Sequence, residues 1–583
     1  MTHHRNITQQ PGQRVNIHKT YTITLFCLIA LLLTSCDLFG GNNSPNVLVK
    51  ALPSQQIYTA PLAGISDIPT LDPALASDSA SISAISMIST GLVQLDDKLQ
   101  VRPQLAQSWD RAPDGMTWTF HLRSHLKFSD GTPLTAADIA YSINRALLPS
   151  TKSSVAPIYL DLIKDSDLLL AGSISTLIGD SLRTPDATTL IIVTNKKAAY
   201  FLPMLTYPCS FVVEKKLIDK YGATFTSHLN EGGSSGPFKI SRYIHNTSIT
   251  FVPNTNYYGP HPQLREVRLQ FYQQASDTYR AYEANQIDMT GVPFSTFSTD
   301  KKRSDFHQVP QLWINYYTMN YLVKPFDNIS IRQAFALAID KTAIANNVWK
   351  GTVIPTNHIV PASIPSYNAN LMGPDGTQNL TGNPTMAQTL LKQGLQQEGW
   401  SSVAQVPPVQ LTYASDVPGF NQEVSALIST WQNVLGIRVT AHPVDYNTLL
   451  DQVTAATNNP NGLQFWGLFW VGEYSDPQDW LTRQFDRGVP NNNMNYGENT
   501  SGDAAQQQTI QQQLEAADTN FQPDARLQAY QQAEQQLVKD VAWLPMEQVT
   551  ENFLRKPYVV GMVDNSQGEI PPDDWANIYI VQH

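Results

Sequence analysis

Cysteine is almost missing from this chain of 583 residues, which has only three, at positions 27, 36 and 209. A disulfide scaffold is excluded, because such scaffolds are small and dense in cysteine. Charge is scarce as well: Asp, Glu, Lys and Arg make up 15%, against the usual quarter. The net charge is −11 and no large basic excess exists, so the footprint of a nucleic-acid binder is lacking. The apolar run at residues 21–33 falls short of the roughly 20 residues that span a bilayer. Catalytic signatures are absent too. There is no HExxH, GxxxxGK[ST] or GxGxxG. His121 and His125 stand four apart, but on a predicted strand and the turn after it, with no cysteine or carboxylate cluster nearby. They read as solvated strand histidines rather than metal ligands. Asp277, Glu283 and Asp288 follow at spacings of six and five, which gives no shared acid/base face. Neither an enzyme nor a cofactor is expected.

What is present is a large apolar fraction, 42%, with 38 prolines and 31 glycines for ordered turns. That suffices for a sizeable core and for three or four domains of roughly 150 residues, or fewer large ones. At the N-terminus, Arg5, Arg14 and Lys19 precede the apolar run 21–33 without any acidic residue, and Leu33-Thr34-Ser35-Cys36 follows. A basic stretch, a short apolar segment and small residues at a cut site describe a secretory signal. The last four residues resemble the bacterial lipobox, in which the cysteine becomes the lipidated first residue. Residues 1–35 are therefore expected to be a lipoprotein signal peptide, and 36–55 the lipidated Cys36 with a Gly/Asn/Ser/Pro tether. The mature chain would carry 35 basic and 49 acidic residues, a balance of −14. Cys209 would be left alone as a buried structural thiol.

Beyond residue 55 strand and helix signals alternate, which points to α/β architecture. In 116–123, Met116, Trp118, Phe120 and Leu122 share one strand face. Thr135 and Asp138 are spaced as a capping box before a helix that Pro149 closes. Helices are predicted near 330–349, 385–398, 421–435 (ended by Gly436) and 524–539, with a strand directly after Gly436. The glutamines of 506–513 and 528–536 read as solvated helix faces.

Six blocks carry a resemblance: Thr70–Pro73; 91–147; Gly236-Pro237-Phe238; 253–259; 319–340; and 469–481. Together and in this order they resemble the extracytoplasmic solute-binding proteins of family 5, the oligopeptide- and dipeptide-binding lipoproteins of ABC importers. The resemblance implies a bilobal fold of the periplasmic-binding-protein type (class II) with an additional small α/β domain inserted in lobe I. Lobe I would comprise 56–75, 199–315 and 555–583, the insertion 76–198, and lobe II 316–554. The partners implied are a peptide or other small solute, the importer's permease subunits, and the membrane through the lipid anchor on the extracytoplasmic face. The receptor would be a monomer and would close on its ligand by a hinge.

By the same resemblance, the ligand's backbone pairs with Ser77-Asp78-Ser79 and with Trp470-Val471-Gly472, and Glu473 before Tyr474 takes its ammonium. The family pattern has Asp at that position, so the carboxylate here stands about one bond farther out. A desolvated carboxylate favours a cationic partner. Where some members carry cationic residues for the ligand's carboxylate, this chain has Pro418, Asn458 and Gly467, so that partner does not transfer. Trp466, Trp470 and Tyr474 recur at even spacing and could present one face to a cleft, while Trp480 could equally be inter-lobe core. Asp476-Pro477 reads as a structural turn. A receptor for a glycan or metal chelate stays open as an alternative, with a secreted lipoprotein enzyme behind it.

Overall fold

A computed structural model describes residues 48–583, and Lys50–His583 hold together as one unit. The expectations for the signal segment and Cys36 lie outside the described residues. Three sheets organise the chain. Ile57–Ala63 pairs in parallel with Glu266–Tyr272, which continues antiparallel through Ser248–Pro253 to Phe238–Ile244. A second four-stranded sheet, wholly antiparallel, runs Ala106–Arg111, Thr117–Leu122, Thr189–Val193, Leu182–Asp186. Trp118, Phe120 and Leu122 bury while Thr117, Thr119 and His121 stay half-exposed, the alternation expected of a half-buried strand. The His121 imidazole meets the Asp110 carboxylate at 2.9 Å, which gives it a surface role. The helix Ala136–Ala146 packs on this sheet. Its Asp138 carboxylate accepts from both the N–H and the hydroxyl of Thr135, each at 2.8 Å, as the capping box requires.

The third sheet has seven strands and is mixed. Its spine is two long antiparallel strands, Phe306–Met319 and Leu544–Arg555. Phe465–Val471 pairs antiparallel with the first of these, then Val409–Ala414 and Val439–Val444 add in parallel. The pairing of the two long strands slips between Pro310 and Ile314 and again after Asn315. That irregularity falls where the boundary between lobes is expected.

Two predictions need correction. The helix expected over 330–349 is two helices, Ile329–Leu337 and Lys341–Asn347, because Asp340 turns the chain and caps the second by accepting from the Ala343 N–H at 2.7 Å. The glutamine-rich helix Ala504–Asp518 is not solvated throughout. Gln507 and Gln511 are buried, and Gln511 donates to the carbonyls of Phe485 and Tyr496 at 2.9 and 2.8 Å. A buried amide with both partners in reach stabilises the loop it crosses. The other helices stand where predicted: Pro384–Gln397, Phe420–Leu435 with Gly436 left-handed at φ +69°, and Pro523–Asp540. Cys209 is a buried free thiol.

Candidate functional site

The end of Phe465–Val471 is the origin of the site. On one side Val471 pairs with Trp313. On the other, pairing with Val409–Ala414 stops at Trp466, so residues 467–471 have a free backbone edge among the described strands. The strand continues straight into Gly472, whose N–H donates to the Leu312 carbonyl at 2.8 Å. A Cβ at Gly472 would stand 3.0 Å from the Trp480 ring and 3.2 Å from Leu312 Cβ, so a side chain there would have to push the ring or Leu312 aside by a few tenths of an ångström.

The chain then turns. The Glu473 N–H donates to the Asp479 carboxylate at 2.8 Å, and Trp470 Nε1 donates to the same oxygen at 3.3 Å. Asp479 is fully buried, and burial pushes its carboxyl up to about 7, against the pull of Arg483 at 3.8 Å. Its second oxygen has no hydrogen-bond partner. Next to it Asp476 caps the turn Pro477–Trp480 and takes both guanidinium nitrogens of Arg526, at 2.6 and 2.8 Å, in a buried fork. The Asp-Pro turn is structural, as expected. Buried Asp518 accepts from Tyr530 at 2.5 Å and Thr482 at 2.7 Å, and burial pushes it too up to about 7. This network fixes the loop's geometry from below.

From above come tyrosines. The Tyr159 hydroxyl donates to the Glu473 carboxylate, and its ring stacks on Tyr207 at 3.7 Å. Tyr474 is buried edge-on to Tyr159 and parallel to Tyr200 at 6.2 Å. Burial and the neighbouring carboxylates hold these phenols in the neutral, donating form. A cavity of about 320 Å³ opens beside them. It is lined by Ser79, Tyr159 and Tyr207 on one side, by Val471, Gly472, Glu473 and Tyr474 on another, and by residues 565–572. No Lys, Arg or His lines it.

Five of the eight ligand-site candidates thus meet at one cavity: Ser79, Val471, Gly472, Glu473 and Tyr474. Three do not line it. Asp78 is the N-cap of Ser79–Ile88, its carboxylate accepting from the Ser81 N–H at 2.9 Å, and Ser77 is the exposed residue just before. The Trp470 indole is turned toward Asp479 and lies under Arg483 at 5.6 Å. Of the even-spaced aromatics, Trp466 is core rather than cleft face: it is buried with Trp480. Tyr159 and Tyr207 had no signal in the sequence, since neither stands in a periodic run or near a recognisable motif, and Asp479, although inside the block 469–481, was not singled out.

Residues 100–493 match the family described as bacterial extracellular solute-binding proteins, family 5. Over 94% of its length the chain is 24% identical to the oligopeptide-binding protein OppA of Bacillus subtilis, covering 97% of that protein. It is 27% identical to the probable deoxycholate-binding periplasmic protein YgiS of Escherichia coli, over 93% of this chain and 96% of that one. Among solved structures it resembles the unliganded open form of the murein tripeptide-binding protein MppA, with TM-score 0.77 and 25% identity, covering 92% of this chain and 99% of the other. The mixed α/β fold is that of periplasmic binding proteins, and the chain belongs to the bacterial extracellular solute-binding proteins of family 5.

Proposed function

We propose that this protein is the lipid-anchored, extracytoplasmic receptor subunit of an ABC importer, capturing oligopeptides or dipeptides and delivering them to the permease. The observation that carries the peptide reading is the Glu473 carboxylate, which faces a cavity without a cation beside a strand whose backbone edge is free. A peptide can add to that edge as a further strand, which reads its backbone and leaves its side chains loosely specified. Its α-ammonium then meets Glu473, with Tyr159 as the second hydrogen-bonding group. Val471 is 47% exposed, which leaves the edge open to a ligand. Ser77-Asp78-Ser79 lies at the opposite wall; Ser79 is the member that reaches the cavity, while Asp78 acts through its helix cap.

Closure fits the lobes expected from the sequence: 56–75, 199–315 and 555–583 against 316–554, with 76–198 as the insertion. The two long strands pass from one to the other, and the slipped pairing near 310–316 is where a small backbone rotation costs least. Cys36 supplies the anchor, and among the described residues no helix is long and apolar enough to cross a membrane. The receptor works as a monomer.

Mass spectrometry of ligands released by denaturing the purified protein tests this function. Short peptides are the expected content. Retention of a single non-peptide solute would overturn it in favour of a second reading, a receptor for another solute, which the likeness to a probable deoxycholate-binding protein favours.

A further inference from the structure

A second cavity, of about 180 Å³, adjoins the first and shares Ser86, Asn565, Glu569 and Ile570 with it. Its walls are mainly apolar, with Tyr58, Leu269, Met289 and Trp575 among them, and its charged lining residues are Glu551, Arg555, Asp564 and Glu569. The only cation there is already engaged. Arg555 Nη1 donates to Asp564 at 2.5 Å, and the His307 imidazole meets the same carboxylate at 2.8 Å. Glu569 takes only the Ser83 hydroxyl, at 2.6 Å, and burial pushes its carboxyl up to about 7. Glu551 stands at the exposed rim. In the first cavity the acids besides the shared Glu569 are Glu473 and Asp96, and Asp96 is paired with Arg102 at 2.7 Å. Three carboxylates, Glu473, Glu551 and Glu569, therefore face the joined space without an ion-pair partner among the described residues.

We propose that the ligand cleft continues through the wall of Ser86 and Glu569 into this second chamber, and that the joined cavities select a peptide with a basic side chain over a neutral or acidic one. This rests on the peptide-receptor reading and names its substrate class. An aliphatic stem lies along the apolar walls and its terminal cation reaches Glu569 and Glu551, the division of labour that long cationic side chains use at protein surfaces. An anionic side chain would enter a space with no free cation and would lose its hydration without compensation.

The test is calorimetric titration of the full chain with alanine tripeptides carrying one lysine, norleucine or glutamate, varied at each position in turn. At one position lysine should bind at least about tenfold tighter than norleucine, a difference of about 1.4 kcal/mol, with glutamate weakest. Glu569→Gln, and separately Glu551→Gln, should lower the lysine-to-norleucine affinity ratio at that position. Binding that ignores the side chain, or a ratio that neither variant changes, would overturn the chamber and leave the peptide reading standing. If no tripeptide binds, the peptide reading fails instead, and 1,5-diaminopentane decides the chamber. A rise in the thermal midpoint that Glu569→Gln abolishes would sustain it, and no rise would overturn it.

Discussion

The Tyr159 hydroxyl donates to the Glu473 carboxylate across a sequence separation of 314 residues. Neither residue is near the other in any local element; Tyr159 ends the short helix Ala156–Tyr159, and Glu473 begins the turn after a strand of the large sheet. The contact ties the insertion expected at 76–198 to the tryptophan strand, and it supplies the Glu473 carboxylate with a donor in a partly buried setting. Removing it with Tyr159→Phe keeps the ring stack on Tyr207 but strands the carboxylate. Hydrogen bonds to charged groups contribute about 1.5–3 kcal/mol. A loss of that size in urea-unfolding free energy is expected, and an unchanged stability would show that the bond contributes nothing.

The ammonium role of Glu473 is open to a thermodynamic cycle. Glu473→Gln removes the charge at nearly constant volume, and truncating one partner of a buried charge pair costs on the order of 2–5 kcal/mol. N-acetylating the peptide should cost the wild type a similar amount and the Gln variant much less, so the two losses should be non-additive. Additive losses measured by titration calorimetry would assign the ammonium elsewhere.

Arg526 and Asp476 form the buried fork beneath the site, with side chains 9% and 6% exposed. Breaking such a pair from one side leaves an uncompensated charge and costs about 3–5 kcal/mol. Arg526→Met should destabilise by that amount in urea denaturation, and Arg526→Met with Asp476→Asn should recover part of it. No recovery in the double variant would mean that packing, not charge, is what Arg526 supplies.

Stability should depend on pH in a direction set by Asp479 and Asp518. Both carboxyls are pushed from 3.8 up to about 7 by burial. Between these values the folded chain holds protons that the unfolded chain has released, so stability from these groups falls as pH rises. Calorimetric melting should therefore give a higher midpoint at pH 5 than at pH 7.5. Asp518→Asn, which keeps an acceptor for Tyr530 and Thr482, should flatten that slope. A midpoint that climbs with pH, with the same slope in the variant, would contradict the assignment.

The proposed anchoring depends on one thiol. A serine hydroxyl at position 36 cannot form the thioether to lipid, and without the acyl chains the body loses the proposed hold on the membrane. With Cys36→Ser, fractionation should find the protein released or unprocessed. Normal cleavage with full membrane retention would remove the lipoprotein claim.

Many local patterns were legible where local physics decides, although the Asp340 cap that splits 330–349 was not. The Thr135–Asp138 box, the alternation of Trp118, Phe120 and Leu122, and the stop at Gly436 all rest on contacts within a few residues, and the structure has them in place. The ordered blocks were enough to identify the family and to single out Glu473 and Val471. The fate of other residues was decided only when distant segments met. The same helical spacing buries Gln507 and Gln511 and leaves neighbouring glutamines in water, because the loop at 496–497 crosses that face. Even strand spacing could not tell that Trp466 is core while Trp470 is only partly buried, since the partner strand ends its pairing at Trp466. Nothing local points to Tyr159 either, because a hydrogen bond across hundreds of residues leaves no periodicity. The sequence by itself determined the class of protein, most of its local elements and one carboxylate that lines the cavity. Only the tertiary structure decided which groups surround that carboxylate, because desolvation and pairing depend on which segments pack together rather than on their order in the chain.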